Sequence, residues 1–345
     1  MSYQGDTFVQ KLLEKAFSQQ ASDIHFYPVV QQNNVQVYFR MLGERQYIST
    51  LNSQTYKMLL TYFKFISNMD IAEINRPQDG SVTITSKRNQ QYALRLSTLP
   101  NQQMESLMIR ILPQEDASQS KRLCIFPSQF TSMKEWLKNR AGILLMTGPT
   151  GSGKTTTMYA LLEDLLRETS QQVITLEDPI ERQLNNVIQV EVNERAGVTY
   201  QTGLKAALRH DPDILLIGEI RDKETAFFAF QAALTGHLVL STLHAKDAPG
   251  TIDRLLDIGI PKEDIAQTLI AVAAVQLLPL QHVANRKRAA ILELLEGDNL
   301  TNVIHKGRDT ISPGFLTFER LREKAYMYGF ISKEIYEQKN GVVRR

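Results

Sequence analysis

Two hydrophobic patterns follow one another along the chain, and the change falls near residue 115. Before it, Phe8, Leu12, Leu13, Ala16 and Phe17 recur at helical spacing, with Asp6 or Thr7 as the expected cap. The pattern then alternates: Val35, Val37 and Phe39 predict a strand closed by a turn at Gly43. Residues 81–85, 92–96 and 107–112 predict three more strands. Short alternating strands with one or two helices define a small α+β domain over residues 1–112. Residues 113–121 are polar and aperiodic, and a linker is expected over 113–125.

From Phe126 the apolar runs stop alternating. Residues 142–146, 173–176, 214–217 and 238–243 are continuous apolar stretches, separated mostly by helical patterns at 154–168, 200–209 and 226–234. Strands without a polar side are buried on both faces, which predicts an α/β domain with a parallel sheet over residues 126–345. Its core is expected at 126–259, followed by a mainly helical subdomain at 260–345 in which residues 328–330 mark a helix stop.

Composition narrows the classes. A hydrophobic fraction of 43% with 22% charge is that of a folded chain, and 345 residues suit two domains. The net charge is only +2; residues 1–115 hold 11 basic and 9 acidic side chains, leaving 28 of each beyond. No polybasic block arises, Arg286-Lys287-Arg288 being too short, so direct DNA binding is not expected. One cysteine, Cys124, excludes an intrachain disulfide and a Cys-pair zinc module. An intracellular chain without a signal peptide is expected. Residues 225–245 and 265–284 lack charge for about a bilayer's span, yet their Gln, His, Ser and Thr content predicts buried α/β core.

The chemistry begins at Gly148-Pro149-Thr150-Gly151-Ser152-Gly153-Lys154-Thr155, a full P-loop between a predicted strand and helix, with Thr156 following. Glycines let backbone N–H groups wrap phosphate oxygens, and the helix adds the positive end of its dipole. Lys154 is expected on the β- and γ-phosphates of ATP and Thr155 on Mg²⁺. The apolar run 214–217 ends in Gly218-Glu219, which places Glu219 to polarise the attacking water. Glu177 and Asp178 close another strand at the edge where nucleotide binds, and Glu177 is expected to hold Mg²⁺ through water. His244 closes a third, where a neutral imidazole would sense the γ-phosphate; His237 is the weaker candidate. Arg95 and Arg110 oppose the apolar side of their strands and project from the sheet.

With these residues in view, the chain resembles the type II secretion and type IV pilus assembly ATPases. Arg209 to Asp222 is similar to that family's signature, residues 174–181 to its aspartate box and residues 235–244 to its histidine box. Ala21-Ser22-Asp23-Ile24-His25 and Arg76-Pro77-Gln78-Asp79-Gly80 resemble elements of its N-terminal domain. The likeness covers nearly the whole chain and weakens past about Leu280. It implies a RecA-like P-loop NTPase domain behind a PAS-like α+β domain, with ATP and Mg²⁺ as cofactors. It also implies that Arg95 and Arg110 act as arginine fingers, that the chains form a homohexameric ring, and that the ring turns a polytopic platform protein of the inner membrane. The localisation implied is cytoplasmic, peripheral at the inner face of the plasma membrane.

A short, zinc-free form is similar to the ATPases of the competence pseudopilus, which serve DNA uptake in Gram-positive bacteria. A retraction motor shares the enzymology, but its Arg-rich helix motif is not recognised in residues 316–331. A DNA-translocating ATPase is disfavoured by the charge balance, and a nucleotide-gated scaffold by the complete P-loop and Glu219.

Overall fold

The computed structural model describes residues 4–29, 32–41, 44–101, 104–114, 123–281 and 288–337. These fall into two compact units, one before residue 117 and one after it. Residues 115–122 of the linker expected over 113–125, the turn at Gly43, Arg286-Lys287 and the basic ending Arg344-Arg345 lie outside the described residues, while residues 113 and 114 close β6.

In the first unit the chain runs α1 (Gln4–Ser18), β1 (Asp23–Val29), β2 (Asn34–Met41), β3 (Glu44–Asn52), α2 (Ser53–Ile66), β4 (Gln78–Thr85), β5 (Gln91–Leu99) and β6 (Ser106–Gln114). The strands form one antiparallel sheet in the order β3-β2-β1-β6-β5-β4. Alternation decides its faces. Ile24, Phe26, Val35, Val37, Phe39, Leu94, Leu96, Ile109 and Ile111 are buried against Leu12, Leu13 and Ala16 of α1 and Tyr56, Leu59 and Phe63 of α2. Both helices therefore cover one face. Helix α1 already begins at Gln4, so Asp6 and Thr7 lie inside it instead of capping it. Asn52 caps α2 by accepting from the Thr55 amide.

The second unit continues with α3 (Pro127–Trp136), β7 (Gly142–Thr147), α4 (Lys154–Glu168), β8 (Val173–Glu177), β9 (Val187–Glu191), α5 (Tyr200–Ala207), β10 (Ile214–Ile217), α6 (Lys223–Leu234) and β11 (Leu238–Leu243). Then follow α7 (Ala248–Ile258), α8 (Lys262–Thr268), β12 (Leu269–Pro279), β13 (Arg288–Glu296), α9 (Gly297–Lys306), α10 (Phe318–Met327) and α11 (Lys333–Glu337). The sheet order is β13-β12-β7-β11-β10-β8-β9, parallel throughout except for the antiparallel β13. Successive residues of β7 serve opposite layers. Ile143 and Leu145 pack with α5, α6 and α7, whereas Leu144 and Met146 pack with α3 and α4. Gly329, in a left-handed conformation, follows α10 and supplies the expected stop.

One expectation is corrected. The segment from Ile260 onward is not mainly helical as far as residue 296: β12 and β13 are long strands, and β12 lies beside β7 at the heart of the sheet. The sheet core therefore extends beyond residue 259. Continuous apolar sequence serves a buried helix and a buried strand equally well, so periodicity alone does not separate them. Among the described residues no helix is long and apolar enough to cross a membrane.

Candidate active site

Four parallel strands end side by side, and their next residues make the site. Register aligns β8 with β10, β10 with β11, and β11 with β7. Glu177, Gly218-Glu219, His244 and Gly148 are thereby brought to one edge, the carboxyl edge at which open α/β sheets bind ligands.

The P-loop is a glycine cradle. Gly148, Gly151 and Gly153 have φ of 142°, 77° and 95°, a region that side chains disfavour. A Cβ on Gly148 would lie 2.7 Å from the Val275 carbonyl oxygen and 2.8 Å from Ser152 Oγ, so β12 backs the loop closely. Lys154 opens α4 and turns its Nζ onto the carbonyls of Gly148 (2.9 Å) and Pro149 (3.2 Å). Burial pushes its ammonium down from the ordinary lysine range, against the pull of the Glu219 and Glu181 carboxylates. Ser152 Oγ is buried with no hydrogen-bond partner among the described residues. An unpaired buried hydroxyl, an ammonium held on loop carbonyls and bare glycine backbone all suit a phosphate chain.

Glu219 is engaged on both oxygens. His244 Nε2 lies 3.0 Å from Oε1 and Arg221 Nε 3.0 Å from Oε2. Arg221 also reaches Asp178, at 3.5 Å. The other ring nitrogen of His244 lies 3.0 Å from the Gly148 carbonyl oxygen. Both ring nitrogens of His244 thus face oxygen acceptors. His244 thereby links the P-loop to the Glu219 carboxylate. Hydroxyls of β11 fix this corner: Ser241 donates to Ile217 O and Thr242 to Gly218 O, both at 2.7 Å. Thr147 joins β7 to the His244 turn by donating to Leu243 O and accepting from Ala245 N, each at 2.9 Å.

Glu177 is buried, and its oxygens accept from Tyr159, Thr175 and Gln189. Burial raises its pKa despite these donors. The same donors fix the carboxylate at the carboxyl end of β8. Among the described residues no group of three or more His, Cys, Asp or Glu is placed to hold a metal ion. Thr155 follows Lys154 in the first turn of α4, beside the glycine cradle. His237 sits at the opposite, amino end of β11, against Ala232 O at 3.2 Å, away from this edge.

Arg95 and Arg110 belong to the first unit, where they are cross-strand partners on the face away from the helices. Sequence reasoning gave no role to Tyr159, Gln189 or Thr147, each of which acts through a partner well removed along the chain. Thr175, Arg221, Ser241 and Thr242 lie within the motif stretches but were not singled out.

A parallel sheet with a P-loop and a strand-end glutamate defines a P-loop nucleotide hydrolase. Comparison with known proteins narrows this. The model of the Type II/IV secretion system protein family matches residues 5–341, and the chain belongs to that family. It is 40% identical over 344 residues to competence protein ComGA of Bacillus subtilis strain 168, covering 95% of this chain and 96% of that protein. It is also 40% identical over 272 residues to the type IV pilus assembly ATPase PilB of Thermus thermophilus, covering 79% of this chain and 30% of that one. The solved structure of the pilus retraction motor PilT with bound ADP superposes with a TM-score of 0.77 at 27% identity, covering 95% of this chain and 96% of that one. The chain is an ATP-hydrolysing motor of this family.

Proposed function

We propose that this ATPase powers assembly of a competence pseudopilus for DNA uptake. The observation that carries the reading is the 40% identity to a competence protein over nearly the full length of both chains. ATP lies along the glycine cradle, and Lys154 exchanges the Gly148 and Pro149 carbonyls for phosphate oxygens. Gly151, Gly153 and the amides of Pro149-to-Thr156 residues other than the proline line the phosphate path. Mg²⁺, when bound, neutralises charge on the phosphates, with Thr155 as its ligand. Glu219 orients the attacking water once Arg221 or His244 releases one of its oxygens.

Arg95 and Arg110 act as fingers that stabilise charge on the transferring phosphoryl group, so hydrolysis waits on the placement of the first unit. Fingers carried on a separate unit suit a closed ring, which we take to be a homohexamer. The ring works on a polytopic platform protein, peripherally at the cytoplasmic face of the plasma membrane.

The test is DNA uptake by the source organism carrying Lys154→Ala beside a clean deletion. Both are expected to abolish transformation at unchanged protein level, and purified Lys154→Ala to lose ATPase activity. Normal transformation by Lys154→Ala, where the deletion fails, would mean a scaffold acting by contact. Normal transformation by the deletion would assign the motor to another fibre.

A further inference from the structure

The sheet of the first unit carries a line of charge on the face away from its helices. Cross-strand register sets Arg45 opposite Arg40, Arg40 opposite Asp23, Asp23 opposite Arg110, and Arg110 opposite Arg95. Four arginines thus share a row with one carboxylate. Arg110 and Arg95 stand side by side as like charges, an arrangement that destabilises a cross-strand pair by itself. The counter-charge lies on Arg110's other side, where its Nε donates to Asp23 Oδ1 at 2.9 Å.

The two partners differ in freedom. The Arg110 side chain is 55% exposed, so little packing fixes its long rotamer chain. Asp23 is 6% exposed, its backbone is paired on both sides, and its Oδ2 accepts from Ser22 Oγ at 2.8 Å. Arg40 Nε approaches the same oxygen at 3.6 Å. Burial alone would raise the Asp23 pKa, but the hydrogen bonds from Arg110 and Ser22 and the arginine's charge outweigh it and keep the carboxyl below its ordinary value.

We propose that Asp23 is a positioning residue for ATP hydrolysis: the buried, doubly paired carboxylate holds the guanidinium of Arg110 in place beside Arg95, ready for the developing negative charge. This rests on the finger reading of Arg110. A finger must be aimed before the phosphoryl group arrives, and an immobile acceptor supplies that aim while leaving the exposed edge of the guanidinium for the nucleotide.

The test is a double-mutant cycle in the full chain, reading kcat and KM for ATP with Asp23→Asn, Arg110→Ala and both together. Arg110→Ala is expected to lower kcat by about 10³-fold or more. Asp23→Asn is expected to lower kcat by about 10²-fold through misplacement, with KM unchanged. The double variant is expected to match Arg110→Ala, because Asp23 acts only through Arg110. Thermal melting checks folding; if Asp23→Asn does not fold, Asp23→Glu keeps the charge but moves it, and the same loss in kcat is expected. Wild-type kcat in the folded Asp23 variant, with Arg110→Ala impaired, overturns the proposal and leaves the finger reading standing. Losses that multiply in the double variant overturn it too. Wild-type kcat in Arg110→Ala removes the finger reading, and the proposal with it.

Discussion

Glu177 and Glu219 close neighbouring strands of one sheet, yet their surroundings give them different work. Glu219 is partly exposed and meets two cationic or ionisable side chains, which suits a group that must turn toward water. Glu177 is buried among neutral donors, and burial raises its pKa from the ordinary 4.5. The native state therefore keeps that proton longer than the unfolded chain does. Stability contributed relative to a neutral side chain is complete below pH 4.5 and declines as pH rises from there through the raised native value. The melting temperature of the wild type should fall relative to Glu177→Gln across that window, and parallel curves would show that the carboxyl does not titrate this way. At this scale the sequence was most informative where the chemistry demands a residue type in fixed order, as in Gly148 to Thr155. It was silent where a contact joins distant positions. Arg110 meets Asp23 across 87 residues, and His244 meets Gly148 across 96.

Elements were legible in proportion to how far burial constrained their pattern. Strands β1, β3 and β9 were not predicted, whereas β2, β4, β5 and β6 and the unbroken strands β7, β8, β10 and β11 stand where periodicity put them. Strand β12 did not, because Leu269 to Pro279 is apolar whichever way it folds, and only pairing with β7 selects the strand. The omission hid what stands behind the P-loop, since Val275 and Leu277 of β12 approach Gly148 and Gly153. Helix α2 carries another feature that no periodicity reveals. Lys64 is buried and pairs with Glu105 at 2.6 Å, while also donating to Glu73 O at 2.7 Å. Removing one member of a buried pair strands the other, so Lys64→Ala should cost about 3–5 kcal/mol. Chemical denaturation of the full chain measures it, and replacing both residues by apolar ones should recover much of the loss.

For the whole molecule, each unit has its own core: that of the first lies between one sheet face and two helices, and that of the second on both faces of a sheet. Cores of this kind allow a unit to fold alone. A fragment beginning at residue 117 should therefore fold and bind ATP with near-native affinity, since the glycine cradle, Lys154 and Glu219 all lie within it. Its turnover should fall by about 10³-fold or more, because Arg95 and Arg110, proposed as the fingers, are missing. Nucleotide titration and steady-state ATPase assays on the fragment separate the two effects, and native turnover would place the fingers elsewhere.

The way the chain enters the second unit brings it close to the nucleotide cradle. Ala290 N donates to Leu123 O and Ile125 N to Ala290 O, each at 2.8 Å, which lays the entering segment along β13. Gln129 then exchanges side-chain hydrogen bonds with the Leu292 backbone, and Trp136 donates to Glu296. These stitches all fall on one strand. From residue 123 to the nucleotide cradle there are thus only two strands, β13 and its antiparallel partner β12, whose Val275 carbonyl lies directly behind Gly148.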